Sequence, residues 1–139
     1  MLTWNNYDKF KRCMKSLLHY LVNDNIYELI ILDNGSSDPN LISYILKLEQ
    51  NYKKIKIILN DKNLGVAGGR EVLFKEASGD HILSFDSDVV ILELDALCAL
   101  YLKFMEDPSN YLLGGGGGNH VFFPSVDPKD VNNLTPSEK

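Results

Sequence analysis

Between Asn5 and Val22 the apolar residues Tyr7, Phe10, Met14, Leu17, Leu18 and Leu21 recur at steps of three and four, with Lys and Arg between them. That spacing predicts an amphipathic helix. Tyr27 to Asp33 is a short, largely apolar run stopped by Asn34-Gly35-Ser36-Ser37-Asp38-Pro39, which predicts a strand followed by a loop and a helix start. Leu41, Ile42, Ile45, Leu46 and Leu48 return to helical spacing up to about Tyr52, and Ile55 to Leu59 forms a second β-branched run ending at Asn60-Asp61. Val66 to Ala77 is helical in pattern, with Gly79 expected at the C-terminal stop. A third strand is expected over His81 to Phe85 and a helix from about Leu94 to Met105, ahead of Pro108.

After Tyr111-Leu112-Leu113 come five consecutive glycines, Gly114 to Gly118, and Val121-Phe122-Phe123 reads as one more short strand. Residues 124–139 hold three prolines and no periodicity, and are expected to be an irregular or disordered tail behind a domain spanning residues 1–123. Strands alternating with helices imply an α/β fold: a mostly parallel sheet with helices on both faces. In such sheets ligands sit beyond the carboxyl ends of the strands. Those ends carry Asp33, Asn60 and Asp61, and Asp86 and Asp88.

Composition narrows the partners. With 139 residues the chain suits one α/β domain, and 45% hydrophobic with 24% charged residues matches an ordinary soluble protein. A formal net charge of −5 with scattered basic pairs, Lys11-Arg12 and Lys53-Lys54, argues against a nucleic-acid surface. The two cysteines, Cys13 and Cys98, lie in predicted helices without metal-ligand spacing and read as reduced thiols. No leader pattern and no apolar run of about 18 residues is visible. A cytoplasmic location follows, compatible with peripheral contact at the inner face of a membrane.

Asp86 and Asp88, one residue apart at a predicted strand end, are suited to a hard divalent cation, which takes oxygen ligands and shares them with phosphates and water. An Asp-x-Asp alone is weak evidence. The apolar residues on both sides, Ile82, Leu83, Phe85, Val89 and Val90, suggest buried surroundings in which unpaired carboxylates are costly and a bound counter-charge is favoured. A haloacid-dehalogenase-type phosphatase also uses Asp-x-Asp, but on its first strand with a Lys and an acidic pair downstream, which this order does not match.

The succession Leu32-Asp33-Asn34-Gly35-Ser36-Ser37-Asp38, then Asn63-Leu64-Gly65-Val66-Ala67-Gly68-Gly69-Arg70, then Gly79-Asp80 through Asp86-Ser87-Asp88-Val89 resembles family-2 glycosyltransferases of the GT-A fold, in order and in spacing. Thr3-Trp4-Asn5-Asn6-Tyr7 resembles the family's opening loop, and the likeness extends from Leu2 to Leu113. It implies inverting transfer of a sugar from a nucleotide-sugar, UDP-linked in most cases, to a glycan or glycoconjugate, with Mn²⁺ or Mg²⁺. Residue by residue, it implies that Asp33 accepts from the nucleobase, Thr3 lies against the same nucleoside, and Arg70 sits near the diphosphate. Asp86 then contacts ribose or a metal-bound water, and Asp88 binds the metal.

Other roles remain open for several of these residues. Asp33 and Asp38 can cap the following helix, Gly65, Gly68 and Gly69 can serve packing, and Arg70 can pair with Glu71 or Glu76. His120 is a weak metal candidate. Family members carry an apolar central strand before the Thr-x-Asn loop, whereas only Met1 and Leu2 precede Thr3 here; a shortened chain or a short replacement strand is expected. No carboxylate is a convincing catalytic base: Glu106-Asp107 come too early, and Asp127 and Asp130 lie in the tail. The alternative is therefore a catalytically incomplete nucleotide-sugar-binding fragment or regulatory module.

Overall fold

The computed structural model describes residues 1–22, 26–93 and 95–107. These fall into two compact units, Met1–Leu92 and Glu93–Lys139. The second contributes one described helix, α4 (Ala96–Met105). The first contains β1 (Leu2–Thr3), α1 (Tyr7–Val22), β2 (Leu29–Asp33), α2 (Pro39–Asn51), β3 (Ile55–Leu59) and α3 (Gly65–Glu76).

The three strands pair in the order β1-β2-β3, all parallel, with Leu2 opposite Leu32 and Ile31 opposite Ile57. Both crossovers, β1-α1-β2 and β2-α2-β3, move the same way across the sheet. Right-handed connections therefore put α1 and α2 on one face. The chain then returns: α3 packs on β2 and β1, and its Leu73 meets Ile30 and Leu32 on the other face. Covered on both sides, β2 is buried along its whole length, which explains why it reads as a continuous apolar run rather than an alternating one.

The α1 face of the core is built from Phe10, Cys13, Met14, Leu17 and Tyr20, each 0 or 1% exposed. Tyr44 of α2 stands edge-on to Tyr7 and Phe10 with ring centroids 5.8 and 6.0 Å away, which ties α2 to α1. Helix α2 starts where Asp38 accepts a hydrogen bond from the Asn40 amide at 2.9 Å and Pro39 occupies the first turn. Among the described residues no helix is long and apolar enough to cross a membrane.

The central slot is filled by Leu2 and Thr3. They pair with β2 on one side, and Leu2 bridges Asp86 in parallel on the other. The expected strand over His81 to Phe85 is not formed; only Asp86 makes a bridge. A strand needs a neighbour for its amides and carbonyls, and a two-residue β1 offers one position. Ile82 and Leu83 are accordingly 52 and 46% exposed.

Gly79 does not stop α3 either. The helix ends at Glu76 with an extended Ala77 after it, and Gly79 is not among the residues with positive φ. The turn beyond is held instead by Glu28, which accepts from the amide and hydroxyl of Ser78 at 2.7 and 2.8 Å. These bonds keep the Glu28 carboxyl below the usual range. The expected strand at 121–123, the tail from residue 124 and His120 lie outside the described residues.

Candidate functional site

Successive strands run in one direction from β1 to β3, and the chain then jumps back to the free edge of β1 at Asp86. The order reverses between β1 and Asp86. That reversal opens a crevice at the carboxyl ends of the strands, the place where open α/β sheets bind ligands. Thr3 ends β1, Asp33 ends β2, and Asp86 lies across the reversal.

The Thr3 end is closely tied. The Thr3 hydroxyl donates to Asn6 Oδ1 at 2.7 Å, and Asn6 Nδ2 donates to the Ser87 hydroxyl at 3.0 Å. One amide therefore links the end of β1 to the middle of the Asp-Ser-Asp triplet. Asp33 is 2% exposed. Its Oδ2 accepts from the Ser36 amide at 2.9 Å, while its Oδ1 is buried with no hydrogen-bond partner among the described residues. A buried acceptor left unpaired costs about 1–3 kcal/mol, so this oxygen marks a place where a donor from a ligand fits.

Two loops frame that oxygen. Asn5 takes a left-handed conformation, φ 46°, which Asn tolerates better than most residues. Its Oδ1 accepts from the amides of Ser37 and Asp38 at 2.9 and 3.1 Å, and its own amide donates to the Ser36 hydroxyl at 2.9 Å. Gly35 has φ 77°, and a Cβ there would stand 2.7 Å from the Lys62 carbonyl carbon, so the turn after Asp33 requires glycine.

Behind the turn, Asn34 is 3% exposed and satisfied through its whole amide. Its Nδ2 donates to Asn63 Oδ1 at 2.9 Å and to the Gly65 carbonyl at 3.1 Å. Its Oδ1 accepts from Asn60 Nδ2 at 3.1 Å and from the Leu64 amide at 3.0 Å.

Helix α3 carries Arg70 to the crevice. Gly69 lets the helix close on β1, since a Cβ there would come within 2.5 Å of a Leu2 methyl, and Gly65 takes φ 71° in open space. Packing therefore accounts for Gly69 and backbone conformation for Gly65. Arg70 Nη2 donates to Asp86 Oδ1 at 2.9 Å. Glu71 pairs with Lys75 and Glu76 with Lys56, so neither is the partner of Arg70.

The acids of the triplet are exposed, contrary to the buried surroundings their neighbours' apolar letters suggested. The side chains of Asp86 and Asp88 are 62 and 51% accessible, and Val89 and Val90 are themselves 42 and 36% exposed. No second layer covers these residues within their own unit, so the desolvation argument for a bound cation does not apply.

The donor chemistry itself does fit a divalent metal. Lys9 lies 3.8 Å from Asp88 Oδ2 and Arg70 holds Asp86 Oδ1, which leaves each carboxylate an oxygen without a partner among the described residues. No group of three metal-ligating side chains occurs among those residues. Asp86 and Asp88 would therefore hold Mn²⁺ or Mg²⁺ only with phosphate oxygens and water as the other ligands, the usual coordination of Mg²⁺ beside a nucleotide.

The Met1 nitrogen donates to the Ile30 carbonyl of β2 at 2.7 Å in a buried position. The Cys13 thiol, 0% exposed and 3.7 Å from the Asp86 carbonyl, is pushed up to about 11 by burial. Both cysteines are free.

The structure thus gathers Thr3, Arg70 and Asp86 around the reversal, with Asp33 one strand away and Asp88 at the rim. Reading the sequence missed Asn5, Asn6, Asn34, Ser87 and Lys9. Asparagine just after β1 and again just after β2 was the available signal for Asn5, Asn6 and Asn34.

Comparison with known proteins agrees with this geometry. A solved mannosyltransferase from Pyrobaculum calidifontis, in complex with GDP-Man and Mn²⁺, superposes with a TM-score of 0.67 at 17% identity, covering 78% of this chain and 32% of that one. This establishes the GT-A fold. An N-acetylglucosaminyltransferase of Bradyrhizobium elkanii is 34% identical over 80 residues, 58% of this chain and 43% of the relative. A poly(ribitol-phosphate) β-N-acetylglucosaminyltransferase of Staphylococcus aureus is 30% identical over 118 residues, 84% of this chain and 35% of the relative. The chain spans less than half the length of these relatives. The family model for glycosyl transferase family 2 matches residues 1–120, the stretch that holds the strand reversal and all five site candidates, and the chain belongs to that family.

Proposed function

We propose that this chain binds a nucleotide-sugar, with UDP as the nucleotide, in the crevice between β1 and Asp86, and serves inverting transfer of the sugar to a glycan or glycoconjugate. The observation that carries the reading is the unpaired, buried Oδ1 of Asp33 at the end of β2. The imide N–H of uracil would supply the donor that this acceptor lacks. Thr3 then lies beside the nucleoside, and Arg70 directs those of its five donors not used by Asp86 to the diphosphate. Family membership and the names of the relatives, which transfer N-acetylglucosamine, support the reaction class. The ligand of the mannosyltransferase supports a nucleotide-sugar.

In the transfer, an acceptor hydroxyl oxygen bonds to the anomeric carbon while the bond from that carbon to the diphosphate breaks. The electron pair leaves on the phosphate oxygen and the hydroxyl proton passes to a base. Asp86 and Asp88 would hold a divalent cation, which when bound would supply Lewis-acid stabilisation of the departing diphosphate. Arg70 contributes a fixed positive charge on the same side, aimed by its bond to Asp86.

Isothermal titration of the folded protein with UDP and Mn²⁺ tests the proposal, with GDP in parallel. We expect UDP to bind, and Asp33→Ala to weaken it about tenfold, the cost of one lost charge-assisted hydrogen bond. Folded protein that takes up neither nucleotide, or an Asp33→Ala variant that binds UDP as well as the parent does, sinks the reading.

A further inference from the structure

We infer that Asn34 is a positioning residue for the diphosphate end of this site: its amide fixes the first turn of α3 and thereby sets where Arg70 stands against Asp86. The inference rests on the nucleotide-binding reading above and adds to it a residue that contacts no ligand.

The orientation of the Asn34 amide is dictated by backbone groups. The Leu64 N–H can only donate, so the atom facing it is Oδ1; the Gly65 carbonyl can only accept, so the atom facing it is Nδ2. Asn63 is fixed the same way, because its Oδ1 accepts from the Gly65 amide at 2.7 Å. Asn60 Nδ2 completes the set on Asn34 Oδ1. The four contacts reach the end of β3, the loop after it and the start of α3.

Helix α3 has no capping side chain of its own, since its N-cap position is Leu64, which makes no side-chain cap bond. Two of the amides at that end, those of Leu64 and Gly65, donate to Asn34 and Asn63 instead. Asn34 is in turn held by the sheet, its own amide donating to the Thr3 carbonyl at 2.9 Å. Arg70 follows Gly65 by five residues, about 7.5 Å along the helix axis. A helix released at its first turn shifts the guanidinium by an amount that matters to a hydrogen bond of 2.9 Å. Asn34 therefore connects the strand end that holds Asp33 to the helix that holds Arg70, and aspartate cannot take its place, because both atoms facing Nδ2 are acceptors.

Asn34→Asp is the isosteric test. It places a carboxylate oxygen against Asn63 Oδ1 and the Gly65 carbonyl. Amide hydrogen exchange at Leu64 and Gly65 should accelerate without any ligand present. Titration with UDP and Mn²⁺ should weaken about tenfold, roughly the loss of 1.4 kcal/mol, while affinity for uridine stays within about twofold of the parent.

The loss should also largely disappear in an Arg70→Gln background, because two residues acting through one contact are not additive. Should Asn34→Asp fail to fold, Asn63→Ala at an exposed position removes the same acceptor and must give the same pattern. Unchanged exchange at Leu64 and Gly65, equal weakening of UDP and uridine, or full additivity with Arg70→Gln overturns the inference. A parent protein that binds neither UDP nor uridine overturns the nucleotide reading instead, a different result from unchanged exchange.

Discussion

The two ends of the crevice are built differently. Around Asp33 and Asn34 the side chains are 2 and 3% exposed and bonded to three neighbouring segments, and the turn depends on a glycine in a conformation that few other residues adopt. Around Asp86 and Asp88 the side chains are 62 and 51% accessible, and each meets one exposed cation. The first end has its geometry before any ligand arrives. The second has charge but little structure of its own.

Gly35→Ala should break the first end most severely. A Cβ at φ 77° and 2.7 Å from the Lys62 carbonyl carbon has no escape, and a loss of about 3 kcal/mol in urea unfolding is expected from strain and displacement together. A loss under about 1 kcal/mol would mean that the Asp33 turn is softer than it looks.

The smallest change in stability belongs to the other end. Asp86→Asn breaks an exposed pair with Arg70, and such pairs contribute less than about 1 kcal/mol. Its unfolding midpoint should match the parent's within error, while Mn²⁺ no longer strengthens UDP binding. An Asp86→Asn protein that unfolds as readily as Gly35→Ala would erase the contrast between the ends.

The same contrast runs through what the sequence made legible. Helices α1 and α2 and strands β2 and β3 were readable because their apolar periods are long and local, and Asp38 announced the start of α2. The segment 81–85 misled because its letters suit a strand but its partner, β1, has two residues, a fact set by a contact some eighty positions away. The apolar neighbours of Asp86 and Asp88 misled for a related reason. A hydrophobic side chain states a preference for cover, and only the packing shows whether anything covers it. Arg70 had two acidic candidates in its own helix, Glu71 and Glu76, and the fold of α3 against β1 gave it a third partner, Asp86.

The jump that brings Asp86 back to β1 also bears on the order in which the molecule comes together. Asn6 meets Ser87 across 81 positions, Ile91 meets Ser16 across 75, and Cys13 meets Asp86 across 73. Contacts at such separations close large loops, which makes them late and slow to form. The segment synthesised first therefore waits for residues near 90 before its second edge has a neighbour. Until then β2 and β3 can pair, but β1 has a neighbour on one side only, and the junction at Asp86 is the last part of the sheet to close as the chain folds.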